Sequence, residues 1–289
     1  MLHIFVDSDC DITKAQAEEY GVSLISMPYF IGEKEVYPYV DFEEFEPHAY
    51  YNTLREGTIP TTAALSPANY KEIFEPAFAK GDTILYIHFS SAMSLTFDNM
   101  EKAIKELKEK YPDVRFEHFD TMSMTTGAYV IVKEMLERYK KGATIDELIK
   151  WGEEERQHFA CYFFADDLKF FKRSGRVSGF SAFMGGMIGI KPLININEKG
   201  IMGSFGKAIG QANALKTMVK FVEDLGDDIK NYTFVVGHTD APLLVKKMCE
   251  MLKARFGEDL NIEKVPCNPT AGAHSGPGGV SVAFHAKHR

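Results

Sequence analysis

Strand-like and helix-like segments alternate from the first residues of the chain, and this alternation constrains its fold more than any other feature. "LHIFVDSD" is a short apolar run ending in acidic and hydroxyl residues. Thr13 and Gln16 follow with capping-box spacing, and Gly21 stops the helix they open. "VSLISMPYF" reads as a strand, and Asp41 with Glu44 offers a second capping box before an aromatic-rich helix to about Arg55. Ser66 as N-cap and Pro67 at the first helical position open a helix to about Ala79. "DTILYIHFSS" is a strand and turn, "LTFDNMEKAIKELKEKY" a helix charged on one face, and "VRFEHFD" a strand. "TTGAYVIVKEMLERYKKG" is a helix, and Thr144 with Glu147 caps another. Strands alternating with helices at this spacing predict a wound, parallel α/β sheet.

The texture changes near residue 158. "FACYFFAD" is a strand, "DLKFFKRSG" a short helix, and "FSAFMGGMIG" is apolar and small enough throughout for a buried helix. "KPLININEKGIMGSFGKAI" reads as a hairpin turning at Glu198-Lys199-Gly200. A helix, "QANALKTMVKFVEDL", follows it. Then come a strand, "YTFVVGHTD", a helix, "APLLVKKMCEMLKARFG", and two strands, "LNIEKVPCN" and "VSVAFH". A hairpin among parallel elements predicts a mixed sheet. The expected architecture is two closely packed α/β domains, 1–158 with a wound parallel sheet and 159–289 with a mixed sheet.

Composition narrows the function classes. The 289 residues carry a net charge of −8 and scattered basic residues, which disfavours a nucleic-acid groove. No apolar run approaches the ~18 residues of a membrane span. "MLHIFVDSDC" enters a strand with no basic leader, so a cytoplasmic protein is expected. Cys10, Cys161, Cys249 and Cys267 form no CxxC pair, and the histidines show no metal-ligand spacing. Neither a structural metal nor a redox pair is expected. The 22 Phe and 13 Met suit an irregular core, and they also suit a pocket for a flexible apolar ligand.

In open α/β sheets, ligands bind beyond the carboxyl ends of the strands. Asp7 and Asp9 end the first strand; a cap-and-turn cluster is their simpler reading, a metal or base role the other. Ser90, Ser91, Ser94 and Thr96 gather at a helix start, where free N–H groups and the helix dipole attract an anion. One of these hydroxyls would be used as a cap in any case. Thr61 and Thr62 lie in a proline-bounded loop that, taken alone, is ordinary surface. Lys172, Arg173 and Arg176 form a basic turn, and Arg176, next to Gly175, is well placed to reach a carboxylate or phosphate. "PTAGAHSGPGGVSV" resembles a phosphate cradle, but it lacks the Lys-Ser/Thr of a P-loop and precedes a strand rather than a helix. No G-x-S-x-G elbow is present.

Six motifs in order, "VDSDCDIT", "PTTAALSP", "HFSSAMSLTF", "LKFFKRSGRVS", "GIKPLININEKGIM" and "GAHSGPGGVSV", span residues 6 to about 282. In these motifs the chain resembles the DegV family of bacterial fatty-acid-binding proteins, which includes the binding partners of fatty acid kinase. The resemblance implies the family's two-domain α/β (EDD) fold, with a long-chain fatty acid buried between the domains. It also implies that hydroxyls of the threonine loop and the serine turn hold the ligand carboxylate. By motif position these match Thr61, Thr62, Ser90 and Ser91. Arg176 matches the arginine of the family's Gly-Gly-Arg, and His274 the histidine before Gly-Pro-Gly. Ser94, Thr96, Arg173, Gly276 and Gly278 are secondary candidates.

No cofactor, metal or catalytic residue is implied. The chain would carry the fatty acid and present it to a kinase that makes the acyl phosphate for phospholipid synthesis. Its membrane involvement would be limited to transient surface contact. The sequence departs from the family loop Thr-Ser-Gln-Pro-Ser-Pro at Ala63, Ala64 and Leu65, which removes polar groups near the head group. Two alternatives stand beside this reading. One is a carrier of another amphiphilic anion without kinase coupling. The other is a serine hydrolase using Ser90 or Ser91 with His274 and Asp7 or Asp9.

Overall fold

A computed structural model of the chain describes residues 1–166, 168–175, 177–178 and 189–289. The expected helix over 180–189 therefore lies outside the described residues, apart from Gly189 in a turn. The first part of the chain runs β1 (Leu2–Asp7), α1 (Lys14–Tyr20), β2 (Ser23–Ile25), β3 (Tyr29–Ile31), β4 (Lys34–Val36) and α2 (Pro47–Arg55). It continues with β5 (Thr61–Thr62), α3 (Pro67–Lys80), β6 (Thr83–His88), α4 (Thr96–Lys110), β7 (Phe116–Asp120), α5 (Thr125–Lys140) and α6 (Ile145–Glu155). Strands β2-β1-β6-β7 lie in that order, all parallel, as the alternation predicts. The predicted capping boxes at Thr13/Gln16 and Thr144/Glu147 are formed, and Ser66 caps α3 with Asn69 as its partner.

The second part runs β8 (Phe159–Phe164), α7 (Leu168–Ser174), β9 (Val177–Ser178), β10 (Ile190–Ile196), β11 (Met202–Ile209) and α8 (Gln211–Leu225). It ends with β12 (Phe234–His238), α9 (Pro242–Phe256), β13 (Ile262–Pro266), α10 (Pro269–Ser275) and β14 (Val280–His285). Its sheet has the order β13-β12-β14-β8-β10-β11-β9 and is mixed, with β12–β13 and β9–β11 parallel. The β10–β11 hairpin turns at the predicted place, with Gly200 at φ 73.

One apolar cluster runs from the first sheet through the inner face of α5 to the second. It joins Val6, Ile87 and Val130 to Cys161, Ile194 and Ala283. The core between the sheets is thus continuous.

Three local expectations differ from the structure. "VSLISMPYF" is not one strand but two, β2 and β3, in different sheets. The chain leaves the first sheet at Ser26, whose hydroxyl donates to the Pro38 carbonyl, while the Met27 N–H donates to Ser8 Oγ and Pro28 offers no donor. β3 then builds a small antiparallel sheet with β4 and β5. Asp41 and Glu44 do not cap α2; Glu46 precedes it without a side-chain cap, and Asp41 instead accepts from the Tyr37 N–H at 2.7 Å. The stretch before the last strand is not all loop, because Pro269–Ser275 is helical.

Candidate functional site

Seven residues are too few for α10 to be stable in isolation, although Asn268 as N-cap and Pro269 in the first turn favour its start. Contacts with distant parts of the chain hold it in place. Asn268 caps it by accepting from the Ala271 N–H, and Asn268 itself donates from N and Nδ2 to Asp11 Oδ1 at 2.8 and 2.7 Å. Tyr50 and Tyr51 donate to the carbonyls of Pro269 and Cys267, and Thr270 donates to Met27. Gly272 lies so close to Tyr51 that a Cβ there would stand 2.4 Å from its hydroxyl. These contacts bring His274, in the last turn of α10, against β5. His274 Nε2 and Thr62 Oγ1, 212 positions apart, are 2.9 Å from each other and hydrogen-bonded.

His274 stands where three cavities meet. A cavity of about 240 Å³ is walled by Asp9, Thr62, Ser94, Thr96 and His274, with Met93, Met124 and Met202 beside them. A second, of about 50 Å³, continues from His274, Met124 and Met202 between Phe163, Phe164 and Phe171. A third, of about 180 Å³, opens outward past Ile59, Thr61, Phe170 and Arg173. A chamber that gathers the polar groups Asp9, Thr62, Ser94, Thr96 and His274 among apolar side chains therefore sits between an apolar inner space and an outer mouth. The inner space as it stands holds only part of a long chain. The two methionines at its entrance have unbranched, rotatable thioether side chains that repack readily.

Under the polar chamber lie three buried carboxyl groups from the end of β1. Asp7 accepts from the N–H groups of Cys10 and Phe89 and from the Tyr86 hydroxyl. Burial pushes its carboxyl up to about 7, although those bonds favour the charged form. Asp11 is likewise pushed up to about 7 by burial, against the pull of the Asn268 bonds. Asp9 is 7% exposed, and its Oδ1 has no hydrogen-bond partner among the described residues. Burial, followed by the charges of Asp7 and Asp11, drives its carboxyl well above the usual range.

The DegV family model, a family of uncharacterised proteins, matches residues 1–287. The chain belongs to the DegV family. It is 32% identical to a DegV domain-containing protein of Clostridium perfringens over 97% of this chain and 96% of that one. Its fold is similar to that of a fatty-acid-binding DegV family protein from Thermus thermophilus, with a TM-score of 0.84, 22% identity and 99% of each chain covered. A stearic-acid-binding protein from Eubacterium ventriosum is also similar, with a TM-score of 0.84, 18% identity and 99% of each chain covered.

Within this DegV fold the sequence candidates separate into groups. Thr62 and His274 meet, and Ser94 and Thr96 line the same chamber. Thr96 Oγ1 accepts from the Leu65 N–H and pairs with the Tyr70 hydroxyl, so it fixes the chamber wall. Thr61 and Arg173 stand at the outer mouth, where Arg173 lies over the Phe170 ring. Ser90 and Ser91 are turned to other work. Ser90 donates to the Gly200 carbonyl at 2.8 Å, and Ser91 donates to Asp120 Oδ2 at 2.5 Å. The Ser91 bond, with Ser90 N–H to Ser123 O at 2.6 Å, holds the ends of β6 and β7 together, while the Ser90 hydroxyl ties that turn to the β10–β11 hairpin. Arg176 lies outside the described residues.

Gly276 adopts φ 68 with Phe170 packed where a Cβ would stand, and Gly278 adopts φ 87 beside Asp166. Both are turn residues that only glycine fills without strain. Sequence reasoning did not single out Met124 and Met202, which join the chamber to the apolar space. It also missed Thr125 at φ 47, a β-branched residue in the left-handed region on the wall of that space. No motif marks either feature. Among the described residues, no group of His, Cys, Asp and Glu could hold a metal ion, and no helix is long and apolar enough to cross a membrane.

Proposed function

We propose that this chain binds a long-chain fatty acid, with the carboxylate in the chamber beside Thr62 and His274 and the hydrocarbon between the sheets. The observation that carries the reading is the Thr62–His274 hydrogen bond at the junction of a polar and an apolar cavity. A buried carboxylate needs hydrogen bonds, and a hydroxyl and an imidazole supply them. Each methylene removed from water contributes about 0.8 kcal/mol, so an apolar channel alone gives substantial affinity. The relatives described as binding fatty acid or stearic acid share this fold and support the same ligand class here. The parts of the chain before and after residue 158 act in this reading as two domains that enclose the ligand.

The protein acts as a carrier with no cofactor and no catalytic residue of its own. Presentation of the bound acid to a fatty acid kinase completes the role. The hydroxyl protons of Ser90 and Ser91 are directed to Gly200 and Asp120, which counts against a hydrolase that would activate either with His274. Organic extraction of the purified protein followed by mass spectrometry tests the carrier role. A stoichiometric long-chain acid supports it. Protein that yields no lipid and takes up no added fatty acid refutes it. Acyl-phosphate formation on mixing the loaded protein with a fatty acid kinase tests the coupling.

A further inference from the structure

Asp9 is an unusual residue to find in a chamber assigned to a carboxylate. It is buried, it lines the same cavity as Thr62, Ser94 and His274, and its Oδ1 has no hydrogen-bond partner among the described residues. No lysine or arginine is among the described residues that line this chamber. An ionised Asp9 would face a bound carboxylate with charge against charge, and the burial of Asp9 leaves that repulsion poorly screened. A protonated Asp9 would instead offer the hydrogen-bond donor that the site otherwise lacks on that side.

On the fatty-acid reading above, we infer that Asp9 stands in the chamber as the neutral acid and donates a hydrogen bond to the ligand carboxylate. The two carboxyl groups then share one proton, as closely paired carboxylic acids do. In the bound state that proton lies between Asp9 and the ligand, and it comes from Asp9 itself or, where Asp9 has ionised, from solvent. Burial and the acidic groups beside Asp9 favour the neutral form. Asp7, Cys10 and Asp11 on the same segment, Tyr70 from α3 and Cys267 before α10 are neutral or acidic groups whose charges couple to Asp9 or to each other. His274 faces it across the chamber. Burial pushes Asp9 in the same direction.

The residue thus selects for ligand class. A carboxylic acid head group accepts from Asp9, whereas an alkyl ammonium would require it ionised.

Infrared difference spectroscopy of the full chain with and without oleate, at about pH 8, tests this. The expected result is a protonated-carboxyl C=O band in the complex that is missing in Asp9→Asn and unmoved when the oleate carboxyl carries carbon-13. Asp9→Ala is expected to weaken oleate binding about tenfold or more, and Asp9→Asn several-fold, in a displacement assay. Circular dichroism checks that both variants are folded. Oleate binding by the wild type with no such band, or with unchanged affinity in both variants, overturns the inference and leaves the fatty-acid reading standing. Binding of a long-chain alkylamine in preference to oleate overturns both.

Discussion

Removing either partner of the Thr62–His274 pair tests the head-group assignment through a double-mutant cycle of Thr62→Val, His274→Ala and the two combined. Thr62→Val keeps the shape of the side chain and deletes one hydroxyl. His274→Ala deletes the imidazole and merges the three cavities it separates. A hydrogen bond to a charged group is worth about 1.5–3 kcal/mol, so each single change should weaken fatty-acid binding roughly 10- to 150-fold. The two groups are 2.9 Å apart and orient each other, so their effects should not add. The double variant should fall short of the sum by about 0.5–3 kcal/mol, the range seen for residues in direct contact. Affinity is read by displacement of a fluorescent fatty acid, and the fold is checked by circular dichroism. Single changes that leave affinity within about threefold, or effects that add fully, would refute the assignment of both groups to the carboxylate.

Other consequences are as specific. Gly276→Ala places a Cβ 2.3 Å from the Phe170 ring at a φ of 68, so it should destabilise the protein by about 2–4 kcal/mol, read as a lower urea midpoint. Ser90→Ala leaves the Gly200 carbonyl without its hydroxyl donor and should lower stability by about 1–2 kcal/mol while fatty-acid affinity stays as it was. Ser90 labelling by a fluorophosphonate probe would argue instead for a hydrolase. Asp7 and Asp11 titrate at 3.8 when unfolded and at about 7 when folded, so between those values the folded chain binds more protons. Stability from these groups is therefore fully present below about pH 4 and is lost as pH rises toward about 7, by at most ~4 kcal/mol each. Thermal melts across that range should show the decline.

The α/β alternation was legible because its signals are local. Thr13 with Gln16, Ser66 with Pro67, and Thr144 with Glu147 each close a cap within three residues, and each formed as written. Elements that depend on remote partners were not legible. α10 forms because Asp11, Tyr50, Tyr51 and Met27 hold it; Asn268 and Pro269 give a local start signal, but seven residues cannot sustain a helix alone. Ser90 and Ser91 have the composition of an anion site, but Asp120 and Gly200 take their hydroxyls, and that pairing is visible only in three dimensions. The single run "VSLISMPYF" splits because Ser26 and Met27 find partners off the sheet, at Pro38 and Ser8. The meeting of Thr62 with His274 followed from family resemblance, since nothing in either motif alone points to the other. Asp9 was legible as a cap-and-turn residue, and its unpartnered oxygen emerged only from the packing around it.

The central claim, a fatty acid with its head at Thr62 and His274 and its tail between the sheets, is tested most directly by anomalous diffraction. The protein would be crystallised with a long-chain fatty acid brominated at its terminal carbon. A bromine peak in the apolar space near Phe163 and Phe171, with density for the carboxylate within hydrogen-bonding distance of Thr62 Oγ1 and His274 Nε2, is the predicted result. Bromine on the outer surface, or a carboxylate bound away from Thr62 and His274, would contradict it.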